Sequence, residues 1–197
     1  MRRIVVGISG ASGAPYAKRL LELFASDAMR GEVSASIVLS STARQVWAHE
    51  CEGRVEDFGL PIFDGRDYSA PFASGSSAPD AMVIVPASMS TIARLAHGIS
   101  DNLLTRAADV VLKERKRLVV VPRETPYSDI HLENMLKLTR SGAVILPASP
   151  SFYGKPLQVT DLLDSVIARL CDHLGLSHSI ARRWGVDINL EKRNSET

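Results

Sequence analysis

Cysteine is scarce: the 197-residue chain has two, Cys51 and Cys171. Two are too few for a disulfide framework, and neither sits in a zinc spacing. A reducing cytoplasm is therefore the expected compartment. Charge of one sign is lacking too, and the formal net charge of +1 gives no general electrostatic case for nucleic acid. No apolar run approaches the length of a membrane span. The opening residues, Met1 to Gly7, share only their charges with a signal peptide. Their apolar stretch is short and glycines follow at once, so they read as a first strand. No repeat and no interdomain linker is visible. The histidines, His49, His97, His131, His173 and His178, form no His-x-x-x-His or His-Glu-x-x-His pair, so no metal is assigned.

What is present suits one compact domain over residues 1–185, with a polar tail at 186–197. Short β-branched runs at 4–8, 33–39, 81–85, 118–121 and 143–146 read as buried strands. Helical patterns fall between them at 14–29, 42–50, 89–97, 102–116, 129–140 and 159–174. Residues 51–80, rich in Gly, Ser, Pro and Asp, read as an excursion without long periodicity. The alternation predicts an α/β fold: a parallel sheet covered by helices on both faces. In such sheets ligands bind beyond the carboxyl ends of the strands. The residues just after each strand are therefore the informative ones.

After the first strand comes Gly7-Ile8-Ser9-Gly10-Ala11-Ser12-Gly13-Ala14-Pro15. Small residues admit a ligand close to the backbone, and a helix N-terminus favours a phosphate. A P-loop is excluded because the turn has no lysine, and the glycine spacing is not that of a dinucleotide fold. Neither Ser9 nor Ser12 sits in the Gly-x-Ser-x-Gly frame of a hydrolase elbow. Taken alone, a tight structural turn and a phosphate or flavin site fit it equally. Ser40 and Ser41 follow the second strand, and Pro86-Ala87-Ser88-Met89-Ser90-Thr91 the third. Singly, each hydroxyl group reads first as a helix cap. Several such turns at one sheet edge suit phosphate, ribityl and isoalloxazine atoms without adding charge.

Arg123 and Glu124, between Pro122 and Pro126, follow the fourth strand at the usual ligand edge. The loop after the fifth strand presents Phe152 and Tyr153. Arg106, Asp109 and Lys113 share one polar helical face, which by spacing alone reads as a solvated salt-bridge face. Arg169 lies seven residues after Leu162, beside the apolar stripe of its helix. A guanidinium there needs an acidic partner, an anion or a subunit interface, or else it snorkels to solvent.

These residues, in this order, resemble the UbiX family of flavin prenyltransferases, once described as aromatic acid decarboxylases. The likeness runs from about Arg3 to Trp184. It rests on Ser-Gly-Ala-Ser-Gly-Ala at 9–14, Ala-Ser-Gly-Ser-Ser at 73–77 and Pro-Ala-Ser-Met-Ser-Thr at 86–91. It rests further on Arg-Ala-Ala-Asp-Val-Val-Leu-Lys-Glu at 106–114, Val-Pro-Arg-Glu at 121–124 and Ile-His-Leu-Glu-Asn-Met at 130–135. Phe-Tyr at 152–153 and Arg-Arg-Trp-Gly at 182–185 complete it. The resemblance implies a Rossmann-like (flavodoxin-like) three-layer fold and a homo-oligomer, often a dodecamer. It implies FMN held by Gly10, Ala11, Ser12, Ser40, Ser88, Met89, Ser90, Thr91 and Arg123. It implies dimethylallyl phosphate held by Tyr153 and Arg169, with Lys113, Arg106 and Glu124 around the phosphate. Ser12 and Glu50 match positions near the reactive flavin edge, and Trp184 an aromatic near the prenyl group contributed across a subunit interface. Where some relatives carry tryptophan in the excursion, this chain has Tyr68.

The implied reaction joins prenyl C1 to N5 of reduced FMN, closes a ring onto C6 and passes prenylated FMN to a UbiD-type decarboxylase. No magnesium is expected, because arginine, lysine and tyrosine donors meet the leaving oxygen. Glu124 would protonate the phosphate if its pKa is raised, and Glu50 or Ser12 would manage protons near N5. Two rivals remain: an FMN-dependent decarboxylase of the cysteine-decarboxylating group, and a non-catalytic FMN carrier.

Overall fold

Fully buried Val6 sits between Ile37 on one neighbouring strand and Val83 on the other, in parallel register. That triplet lies at the centre of a six-stranded, all-parallel sheet. Its strands are β1 (Arg2–Ile8), β2 (Val33–Leu39), β3 (Ile62–Asp64), β4 (Ala81–Ala87), β5 (Arg117–Pro122) and β6 (Val144–Ile145). The helices are α1 (Ala14–Ala25), α2 (Ser41–Glu50), α3 (Met89–Ala96), α4 (Leu103–Lys113), α5 (Asp129–Arg140) and α6 (Val159–Leu174). The structure, a computed structural model, describes residues 1–186. Nearly all of the tail expected at 186–197 therefore lies outside the described residues.

The chain divides into two compact units, Met1–Ala148 and Ser149–Thr197. The first unit carries the whole sheet. Val5, Met82, Ile84, Leu118 and Val120 point to one face, where they share a core with Ile92, Leu104, Ala108 and Leu138 of α3, α4 and α5. Alternation along β1 sends Ile4, Val6 and Ile8 to the other face, the side open to Leu20 and Leu21 of α1, which lies against β4. Each fully buried side chain of this size contributes roughly 1.5–3 kcal/mol. Helices on both faces give the expected three-layer, flavodoxin-like α/β fold. In the second unit, the loop after Ser149 leads into α6, and the described chain continues to Val186.

The strand order is β3-β2-β1-β4-β5-β6. Without the three-residue β3 it reduces to the flavodoxin order, and with β3 it is the dinucleotide-fold order. Either way, the order reverses between β1 and β4, so a ligand crevice opens beyond their carboxyl ends. β3 was not among the expected strands, and it pairs with β2 inside the excursion.

Two helices end earlier than their periodicity suggests. The helix expected over 14–29 stops at Ala25, because Ser26 is extended and its hydroxyl donates to the Leu23 carbonyl at 2.6 Å. A short 3₁₀ turn covers Asp27–Met29. The helix expected over 102–116 spans Leu103–Lys113. Arg115 turns into a left-handed conformation (φ 56°), and the Lys116 N–H donates back to the Val111 carbonyl at 2.9 Å, aiming the chain into β5.

Candidate functional site

Three loops meet at the carboxyl edge of β1, β4 and β5 in the first unit. Gly13, in the turn after β1, has φ 113°, a conformation that favours glycine. Gly10 is needed for a different reason: an added Cβ would sit 2.6 Å from the Cβ of Thr42 and overlap its hydroxyl. The turn after β1 and the start of α2 are thus in contact. Ser9 ties the turn to the next strand. Its hydroxyl donates to the Pro86 carbonyl at 2.8 Å and accepts from the Ser88 N–H at 2.7 Å. From the far side, Arg123 Nε donates to the Ser12 carbonyl at 2.8 Å.

Ser40 and Ser88 cap α2 and α3, accepting from the N–H groups of Ala43 and Thr91 at 3.2 and 3.3 Å. Capping and ligand binding are compatible here, because a hydroxyl that accepts from the helix keeps its own proton to donate. Ser88 also lies 3.1 Å from the Ser90 hydroxyl and 3.0 Å from that of Thr91. The first N–H groups of α3, at Met89 and Ser90, are those a helix leaves without intrahelical acceptors.

The N-terminus of α1 is different. The Gly13 and Ala14 N–H groups donate to Glu50 Oε2 at 2.7 and 2.9 Å. The helix end expected to favour a phosphate already holds a carboxylate of its own chain. Burial works against that charge. The Ser12 hydroxyl, the two N–H groups and the Arg123 guanidinium outweigh it and hold the Glu50 carboxyl below its usual range. An anionic phosphate is better received at the α3 end, away from this charge. Glu124 follows Arg123, and its Oε1 accepts from the Thr125 N–H at 3.0 Å.

The fold therefore gathers Gly10, Ala11, Ser12, Ser40, Glu50, Ser88, Met89, Ser90, Thr91, Arg123 and Glu124 at one edge. Arg106 and Lys113 lie elsewhere in the same unit. Arg106 donates to the Ala73 carbonyl at 3.0 Å and pairs with Asp109 at 3.0 Å. Lys113 pairs with Glu114 beside Gly75. Lys113 precedes the amino end of β5, whereas Arg123 follows its carboxyl end. Six strand residues separate these ends by about 20 Å. Tyr68, between β3 and β4, is half exposed.

The second unit holds Tyr153, Arg169 and Trp184. The Tyr153 and Trp184 rings meet edge to face, 5.4 Å apart and inclined at 78°. Together with Arg169 they line a cavity of about 340 Å³. The acidic partner that Arg169 calls for is Asp172, at 2.6 Å. Asp172 also lies 3.0 Å from His178 and 2.9 Å from Arg183. Neither Asp172 nor Ser9 is among the residues singled out from the sequence. The i,i+3 spacing of Arg169 and Asp172 was a usable signal. The approach of His178 was not, because it depends on how the chain turns after α6. Among the described residues, no group of three or more His, Cys, Asp or Glu side chains could hold a metal ion. No helix there is long and apolar enough to cross a membrane.

Comparison with known proteins gives this geometry its class. Residues 1–171 match the family described as Flavoprotein. The curated flavin prenyltransferase UbiX of Thermoplasma acidophilum is 47% identical over 185 residues, spanning 92% of this chain and 99% of the relative. The crystal structure of AnUbiX (PadA1) in complex with FMN and dimethylallyl pyrophosphate superposes with a TM-score of 0.88 at 40% identity. It covers 93% of this chain and 97% of that one. A dodecameric FMN-dependent UbiX-like decarboxylase from Escherichia coli O157:H7 gives 0.87 at 40% identity, covering 92% and 98%. The chain belongs to the flavoprotein family and, within it, to the UbiX flavin prenyltransferases.

Proposed function

We propose that this chain is a flavin prenyltransferase that joins the dimethylallyl group of dimethylallyl phosphate to N5 and C6 of reduced FMN. The observation that carries the reading is a cationic and aromatic set in the second unit. Within the second unit, Arg169 lines a cavity walled by Tyr153 and Trp184. A protein that only carried FMN would need no such set.

The residues at the carboxyl edge fit FMN. Gly10 and Gly13 keep the backbone bare of side chains, Ser88, Ser90 and Thr91 offer hydroxyls at the start of α3, and Arg123 adds one positive charge. Reduced FMN, when bound, supplies a nucleophilic N5. The chain's residues do the rest. Arg169 and Tyr153 hold the prenyl phosphate and neutralise it as it departs. Tyr153 and Trp184 offer ring faces to the allylic cation, worth roughly 0.5–2 kcal/mol per ring face. In its protonated form Glu124 would return a proton to the phosphate, while Ser12, hydrogen-bonded to Glu50, handles a proton near N5.

Arg106 and Lys113 lie at a different part of the first unit from Ser12. In the proposed assembly they therefore serve the phosphate of a neighbouring copy. A homo-oligomer, a dodecamer in our reading, supplies that neighbour. The product, prenylated FMN, passes to a UbiD-type decarboxylase. The proposed compartment is the cytoplasm. In keeping with that, Cys51 and Cys171 are both free, and burial, with the nearby Asp172 charge, pushes the Cys171 thiol up to about 12.

The test is to incubate the protein with reduced FMN and dimethylallyl phosphate and to weigh the bound flavin. A gain of one C5 unit is expected. Unchanged FMN points to the carrier, and release of CO2 from a cysteinyl or aromatic acid by the protein alone points to a decarboxylase.

A further inference from the structure

Asp172 stands in the last turn of α6, where a helix's terminal carbonyls disfavour an acid. It nonetheless collects three partners. Oδ2 accepts from Arg169 Nη1 at 2.6 Å. Oδ1 accepts from Arg183 Nη2 at 2.9 Å and lies 3.0 Å from His178 Nε2. Burial opposes the Asp172 charge, but His178 and Arg183 hold its carboxyl below the usual range. The His178 side chain is 1% exposed, and its Nδ1 is buried without a partner among the described residues. The second oxygen of Asp172 is therefore held by a ring that packing has fixed. Arg169 is the opposite case: its side chain is 60% exposed and, alone, would sample many rotamers. An isolated surface pair of this kind orients little. Here one member is anchored, so the other is aimed.

We infer that Asp172 is a positioning residue for prenyl phosphate: it holds the Arg169 guanidinium by Nη1 and leaves Nε and Nη2 for two phosphate oxygens. The inference rests on Arg169 binding that phosphate, as proposed above. Asp172 carries a negative charge near an anion site, so simple Coulomb attraction and positioning predict opposite signs for its removal. Neutralising it would strengthen phosphate binding if only charge mattered. It weakens binding if the arginine must be aimed, because a misplaced donor loses its bidentate geometry.

The experiment measures kcat/KM for dimethylallyl phosphate on the assembled enzyme at saturating reduced FMN. The variants are Asp172→Asn, Asp172→Glu, Arg169→Ala and the two doubles with Arg169→Ala. Asp172→Asn is expected to lower kcat/KM about tenfold, leaving the FMN dissociation constant within about twofold. Asp172→Glu keeps the charge but moves it by one methylene, and it too lowers kcat/KM. In the Arg169→Ala background neither change at Asp172 has more than about a twofold effect, because the group it positions is gone. A rise or no change in Asp172→Asn overturns the inference, as does an equal loss in the Arg169→Ala background. If Asp172→Asn fails to fold, seen as lost FMN binding, the Asp172→Glu cycle makes the same decision. If Arg169→Ala itself leaves kcat/KM intact, the assignment of Arg169 falls and this inference falls with it. If Arg169→Ala is impaired and Asp172→Asn is not, only this inference falls.

Discussion

The carboxyl edge of the sheet and the cluster around Asp172 handle polar groups in opposite ways. At the sheet edge the donors are mostly backbone N–H groups and hydroxyls, beside the Arg123 guanidinium; Ser9 ties the turn after β1 to β4, and Ser40 and Ser88 cap α2 and α3. Of its carboxylates, Glu50 is turned to cap α1. In the second unit the donors are long cations on the surface, and one acid organises them. A large, weakly charged ring system needs shape and many weak bonds, which a rigid edge supplies. A small, highly charged phosphate that must leave needs few strong donors, which arginines supply.

Substitutions can break or sharpen that contrast. The largest effect is expected from Arg169→Ala: steady-state kinetics should show kcat/KM for dimethylallyl phosphate falling about a hundredfold. FMN titration should show no change. Collapse of flavin binding with unchanged prenyl phosphate kinetics would erase the division of labour. Next comes Gly10→Ala, which forces the turn away from Thr42. FMN affinity, followed by flavin fluorescence, should drop roughly tenfold, a shift of about 1.4 kcal/mol. A variant that binds FMN normally would show that the edge tolerates movement.

Ser40→Ala removes a cap and should cost about 1 kcal/mol of stability, a few degrees in melting temperature. The smallest effect concerns acid. The folded-state pKa of Glu50 is depressed, so its contribution to stability is present at neutral pH. It is lost as pH falls through and below the ordinary carboxylate range. Glu50→Gln should therefore flatten the acid limb of the stability curve and leave the alkaline limb alone. An unaltered acid limb would mean that the α1 cap is not a charged one.

Much of the contrast was legible in the sequence, for physical reasons. β4 and the inner parts of β1 and β5 are continuous apolar runs because both faces of a parallel sheet are buried, and β2 departs from this only at half-buried Ser34 and Ser36. The hydroxyl turns are legible because ligand edges follow strands. Three-residue β3 is not, since Ile62 and Phe63 stand among glycines, prolines and acids and pair only through β2. Ser26 ends α1 by a bond to its own helix, which periodicity does not reveal. Glu50 is recognisable by resemblance, but its grip on α1 is a contact across 36 and 37 residues. The meeting of Asp172, His178 and Arg183 likewise depends on the path after α6.

The hydroxyl of Ser9 has a consequence for how a ligand is received. It joins the two lips of the crevice, the turn after β1 and the start of α3, before anything arrives. A guest finds the aperture already set, so little freedom is surrendered on docking and its affinity is spent on recognition instead of on folding a loop. Flavin exchange in such a seat is governed by the fit of the guest, with no lip to open first.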